Sequence, residues 1–221
     1  MVGAAARVRK DDCVSWFDLG VLLATFAVIF PAELPDKSFI ATLVLATRYP
    51  RLLVWLGATL AFGIQMVIAV AAGQLLSLLP EKLVLGVTAV LFAVGAVVLL
   101  RGGLRAREEE AAEEAAEEAE IAARVTPDAS RLKAFGTTFA VIFTAEWGDL
   151  TQLVTAGQAA RTGLPVSVFL GAWLALATVA GIGTLAGSWL QQRVPLWRVR
   201  LVSGTLLALL SVVTLVELVR S

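Results

Sequence analysis

From Leu83 to Leu100 the chain runs for eighteen residues without a charge, apolar on every side of any helix they form. A barrel strand would alternate apolar and polar residues, so this run excludes a membrane β-barrel. Five further apolar runs, at about 17–47, 52–79, 134–160, 165–190 and 196–219, are also long enough to cross a bilayer, which takes about 20 residues per helix. Hydrocarbon offers no hydrogen bonds, so each run must satisfy its own backbone as a helix. The expected fold class is therefore an all-α integral membrane protein with six transmembrane helices. Composition agrees: 58% of the 221 residues are hydrophobic and 16% charged, against about 25% charged in soluble domains. A water-soluble enzyme is excluded. The first run is too long for one straight crossing and contains Pro31 and Pro35, which predicts a kink or break there.

The runs divide the chain into an N-terminal tail (1–16), a first three-span unit (17–100), a linker (101–133) and a second three-span unit (134–221). The tail mixes Arg7, Arg9 and Lys10 with Asp11 and Asp12 and shows no short apolar core with a small-residue cleavage site, so no removable signal peptide is expected. Six basic residues flank the spans on the side of both termini, and eleven on the side of the linker. The excess places the linker in the cytoplasm and both termini outside; in a bacterial cell the membrane would be the inner or plasma membrane. Eight of the 18 acidic residues lie between Glu108 and Glu120. This alanine–glutamate run reads as a solvated helix or tether, or as a loose surface that gathers cations.

The formal net charge is zero, which gives no pull towards nucleic acid. Histidine is absent and Cys13 is the single cysteine. Histidine triads, histidine metalloprotease motifs, zinc sites of the usual kind and an intramolecular disulfide are thereby excluded. A metal bound here must be held mainly by oxygen.

The two units repeat each other. FAVIFPAELPDKS (26–38) matches FAVIFTAEWGDLT (139–151) at a constant offset of 113, and LGATLAFGIQMVIAVAAGQLL (56–76) matches LGAWLALATVAGIGTLAGSWL (170–190) at an offset of 114. Three spans are an odd number, so the second copy enters from the opposite side and the copies form inverted repeats. Equivalent residues then converge near the midplane. Glu33 and Asp36 in one unit, and Glu146 and Asp149 in the other, are each spaced i, i+3, on one face of a helix.

Four carboxylates meeting at a pseudo-twofold axis form an oxygen cage suited to a hard divalent cation. Ser38, Thr151 and Gln152 follow within a turn and offer neutral oxygens or supporting hydrogen bonds; Lys37 is either a counter-ion in the site or a snorkelling helix end. An acid at mid-bilayer opposes insertion by about 2.5–3.5 kcal/mol, so protons or a cation must offset the group. Crowded carboxylates cannot all ionise in a low dielectric, and protons and metal therefore compete for the same oxygens, a physical route to antiport. No resident cofactor is implied; cation and proton are substrates.

Other polar and small residues are less specific. Gly183 and Gly187, with Gly57, Gly73 and Gly171, read as close-packing points between helices. Gln65, Gln74 and Gln158 either line a pathway or bond between helices, and Trp147 stands beside the second pair of acids. Nothing in the sequence fixes an oligomeric state.

The segments ELPDKS (33–38) and EWGDLTQ (146–152), each in the first helix of a three-span unit, resemble the Gdt-type family of small membrane cation transporters, whose repeated pattern is Glu-x-Gly-Asp-(Lys/Arg)-(Ser/Thr). The resemblance covers both apolar halves and not the linker. It implies a secondary transporter that moves manganese or calcium (Mn2+ or Ca2+) out of the cytosol in exchange for protons, with Glu33, Asp36, Glu146 and Asp149 as the ion site. Pro35 replaces the pattern's glycine in the first motif and Leu150 its basic residue in the second, which makes the site asymmetric and more negative. Three other readings use the same acids: a cation channel with an acidic filter, a membrane-embedded enzyme with the acids as general acid and base, and a scaffold that moves no ion. The twofold repeat argues against the channel, and the lack of histidine and of a nucleophile paired with a base argues against the enzyme.

Overall fold

A computed structural model describes residues 17–34, 37–104, 116, 119–123, 130–193 and 196–220. Its eight principal helices are α1 (Leu19–Glu33), α2 (Lys37–Arg48), α3 (Arg51–Leu76), α4 (Glu81–Leu104), α5 (Arg131–Ala145), α6 (Leu150–Thr162), α7 (Pro165–Arg193) and α8 (Leu196–Arg220). The tail, Pro35, Asp36 and most of the linker lie outside the described residues. No strand occurs among those described, and the protein is an all-helical membrane protein. Three helices, α3, α4 and α7, are long and apolar enough to cross a bilayer, and a fourth crossing results if α1 and α2, bent by 66°, count as one broken span.

The break comes later than Pro31. That proline sits inside α1, which continues to Glu33 before the chain turns. The run at 134–160, expected to be continuous, is also interrupted, between Ala145 and Leu150. There Gly148 takes φ +78°, a left-handed conformation that a side chain disfavours, and Asp149 caps α6 by accepting a hydrogen bond from the Thr151 amide at 3.3 Å. The cap satisfies a backbone amide that the interruption would otherwise strand.

Packing crosses between the halves. α3 lies against α5 and α6, α7 lies against α1 and α2, and α4 lies along α8. The contacts are as close as glycine permits. A Cβ on Gly57 would stand 2.9 Å from the Phe135 carbonyl oxygen and 3.1 Å from Thr138 Cβ; one on Gly171 would stand 2.5 Å from the Leu22 carbonyl oxygen and 3.0 Å from Thr25 Cβ. Leu22 and Thr25 occupy the positions in α1 that Phe135 and Thr138 occupy in α5, at the same offset of 113. Both threonines are buried and bond back one turn, Thr25 to the Val21 carbonyl at 2.8 Å and Thr138 to the Ala134 carbonyl at 2.9 Å.

Where α3 and α7 cross, the Trp55 indole donates to the Ala177 carbonyl and the Trp173 indole to the Thr59 carbonyl, each at 2.9 Å. Small residues occupy the buried faces, with Ala41, Ala58, Ala61, Ala172 and Ala175 fully covered, while Leu52, Val67, Leu75, Val90, Leu185 and Leu209 are exposed. That distribution suits a protein whose solvent is lipid, where backbones approach through small residues and large apolar side chains face outward.

These contacts generate a stability prediction. In detergent, Gly171→Ala is expected to lower the melting temperature, corresponding to a loss of about 1–3 kcal/mol, because the obstacle is backbone. Gly136→Ala, whose Cβ meets nothing within 4 Å, is expected to leave the melting temperature unchanged or raise it, through a gain of up to about 1 kcal/mol in helix propensity.

Candidate cation site

Two helix ends and two helix starts converge at the interruptions. Glu33 is the last residue of α1 and Glu146 follows the last residue of α5; both are buried, at 1% and 4% exposure. Asp149, half-buried, opens α6. One carboxylate oxygen from each of the three lies within 4.8 Å of the others. Ligands on opposite sides of a calcium-sized ion stand about 4.6–5.2 Å apart, so one ion can reach all three. Asp36, the fourth acid expected here, lies outside the described residues.

The neutral groups converge unequally. Ser38, in the first turn of α2, donates its hydroxyl to Glu33 Oε2 at 2.9 Å, and Thr151, in the first turn of α6, donates to Glu33 Oε1. Ser38 and Thr151 are equivalent under the repeat, yet both hydroxyls serve Glu33. Both residues are buried, so each bond is shielded from competing water. Gln152 spans the turn between α5 and α6: its Nε2 donates to the Glu146 carbonyl at 3.0 Å and its Oε1 accepts from the Gly148 amide at 3.2 Å. Its side chain thus fixes the loop between two of the acids. Lys37 is exposed at the start of α2. Trp147 is also largely exposed, with its ring 5.2 Å from that of Phe143.

The three acids dominate the electrostatics, because the partly positive amino ends of α2 and α6 offset the partly negative carboxyl ends that meet them. The carboxyl ends of α1 and α5, where helix dipoles place partial negative charge, terminate at these acids. Interrupted helices whose ends meet at one point are a recurrent way to build an ion site at membrane depth.

Two features go beyond the spacing of the acids: an interruption that the apolar runs do not show, and a glutamine that takes the interhelical bond, one of the two roles open to it. The second interruption is one; its sequence signal is Gly148 followed by Asp149, a left-handed turn residue and a helix cap. The other is Gln65 of α3, fully buried, whose Nε2 donates to the Phe143 carbonyl in the last turn of α5 at 2.9 Å. Its sequence signal is an amide within an apolar span.

Comparison with known proteins covers both halves of the chain. The model of the family described as "Divalent cation/proton antiporter GDT1" matches residues 21–107 and 134–221, both halves and thus every group above. The chain is 31% identical over 207 residues to GDT1-like protein sll0615 of Synechocystis sp., covering 90% of this chain and 95% of that one. It is 30% identical over 231 residues to Protein PAM71, chloroplastic, of Arabidopsis thaliana, covering 96% of this chain and 62% of the relative. It is 26% identical over 225 residues to GDT1-like protein C17G8.08c of Schizosaccharomyces pombe, covering 84% and 78%. No solved structure matches. The chain belongs to the GDT1 family of divalent cation/proton antiporters, a family of membrane transporters and not of enzymes.

Proposed function

We propose that this protein exports Mn2+ or Ca2+ from the cytosol in exchange for protons, by alternating access to one carboxylate site near the middle of the membrane. The observation that carries the reading is the meeting of Glu33, from one half of the chain, with Glu146 and Asp149, from the other, within 4.8 Å. In this reading Asp36 completes a group of four acids, six spans form two inverted three-helix repeats (17–100 and 134–221), the linker (101–133) is cytoplasmic, and both termini are outside. The broken spans α1–α2 and α5–α6 carry the site, and rocking of one repeat against the other changes which face it opens to.

The chemistry follows from the donor set. Carboxylates and hydroxyls are hard oxygen ligands, suited to Mn2+ and Ca2+. When a cation sits among the acids they stay ionised; when it leaves, protons take its place, because adjacent carboxylates in a low dielectric do not all remain charged. The same oxygens therefore serve both substrates in turn, and neither crosses on the loaded site of the other. Ser38 and Thr151 orient Glu33, Gln152 holds the turn that presents Glu146 and Asp149, and Lys37 supplies positive charge from the edge.

In liposomes holding the purified protein, a pH gradient is expected to drive Mn2+ or Ca2+ flux, and Glu33→Gln and Glu146→Gln are each expected to abolish it while the protein remains folded. Wild-type flux in both variants would overturn the reading. Because protons and cation share the acids, the apparent cation affinity is expected to fall as the pH on the cation's side is lowered; a pH-independent KM would exclude shared ligands. Thr151→Val removes a donor from a buried carboxylate oxygen and is expected to cost about 1–3 kcal/mol, seen as slower flux and a lower melting temperature, with Thr151→Ser restoring both.

A further inference from the structure

α3 travels the length of the interrupted span formed by α5 and α6. Gly57 meets α5 near its start, at Phe135 and Thr138, and Gly73 meets α6 at Ala156 and Ala159. Between them, Gln65 bonds the last turn of α5 and Met66 Sδ accepts from the Thr155 hydroxyl of α6 at 3.5 Å. Gln65 is therefore level with the break that carries Glu146 and Asp149. Its exposure is 1%, and its Nε2 is committed to the Phe143 carbonyl at 2.9 Å. That bond fixes which amide atom is which, since a carbonyl accepts only from the NH2. The remaining atom, Oε1, is buried and has no hydrogen-bond partner among the described residues.

A buried amide oxygen without a donor costs about 1–3 kcal/mol, and an apolar residue of similar size would avoid that cost. The other half of the protein has such a residue: Val179 of α7 occupies the equivalent position at the offset of 114 and is fully buried. One half thus presents a neutral oxygen beside its interrupted span where the other presents hydrocarbon. A cation, or a water that it carries, satisfies an amide oxygen as well as a hydrogen-bond donor does.

We propose that Gln65 is a specificity-determining residue for the transported cation. Its Nε2 positions the carboxyl end of α5, and its Oε1 gives the cation, directly or through one of its waters, a neutral oxygen from α3. This inference rests on the carboxylate site of the preceding section. It adds α3 to the two interrupted helix pairs, α1–α2 and α5–α6, that form that site, and makes the ligand set unequal between the halves.

The test is equilibrium binding of Mn2+, Ca2+ and Mg2+ to the purified full-length protein by calorimetry, alongside flux in liposomes. Gln65→Met keeps the volume and removes the oxygen; it is expected to weaken binding about 10-fold and to change the ratio of Mn2+ to Ca2+ affinity. Gln65→Glu keeps an oxygen and gives up the neutral donor, so it is expected to retain tighter binding than Gln65→Met. Gln158→Met, removing a buried amide bonded to Arg161 elsewhere on α6, is expected to leave the ratio unchanged. Wild-type affinities and ratio in Gln65→Met would overturn the inference. So would equal losses of folding and flux in Gln65→Met and Gln65→Glu with unaltered binding ratios, which would assign Gln65 to holding α5 alone. Should Gln65→Met fail to fold, Gln65→Glu decides: a wild-type Mn2+ to Ca2+ ratio overturns the inference and an altered ratio supports it. Failure of the underlying site is distinguishable, because Glu33→Gln would then leave cation binding intact.

Discussion

Glu33 accepts one hydroxyl from its own half and one from the other, and the arrangement around it depends on that double attachment. A carboxylate at 1% exposure in an apolar protein is tolerable only when its oxygens are engaged. Ser38 engages one from the start of α2, close in sequence. Thr151 engages the other from the start of α6, 118 residues away. For both to arrive, α1 and α2 must part at Glu33, α5 and α6 must part at Glu146, and the two gaps must face one another. The interruptions are thus conditions for burying the acid.

What brings the gaps together is backbone proximity. Gly57 seats α3 against the start of α5, and Gly171 seats α7 against the start of α1, through carbonyls and threonines in corresponding places. Trp55 and Trp173 then tie α3 to α7 by reciprocal indole bonds. In lipid there is little hydrophobic gain from bringing helices together, and association rests on close contact and polar bonds of this kind. Each half consequently holds the other's interrupted pair of helices, and the cluster of acids belongs to neither half alone.

Much of this is legible in the chain itself. Apolar runs gave helix positions to within a few residues, because bilayer thickness leaves little freedom in length. The duplicated motifs marked Glu33, Glu146 and Asp149, which the structure brings together, because an acid in hydrocarbon has few reasons to persist. Of the two prolines that pointed to a break in the first run, only Pro35 lies where the helices part, between Glu33 and Lys37, since a proline such as Pro31 can be accommodated inside a helix whose neighbours absorb the lost bond. The second break was hidden by hydropathy, which averages over Gly148 and Asp149 and does not see a turn. An interhelical bond was one of two roles open to Gln65, but its partner Phe143 was not legible, because it depends on the rotation and depth at which α3 passes α5, quantities that periodicity in an all-apolar helix does not encode.

The distance in sequence between Glu33 and Thr151 also sets an order of events. During synthesis the first three helices enter the membrane before the residues that will engage Glu33, cover Leu22 and accept from Trp55 have been made. The early half must therefore wait in lipid with an acid, a small-residue seam and an indole unmet, and a contact of such long range forms slowly. The linker between the halves governs how soon the second arrives, since a tether fixes the effective concentration of one segment around another. A longer tether lowers that concentration, so its length is a matter of assembly.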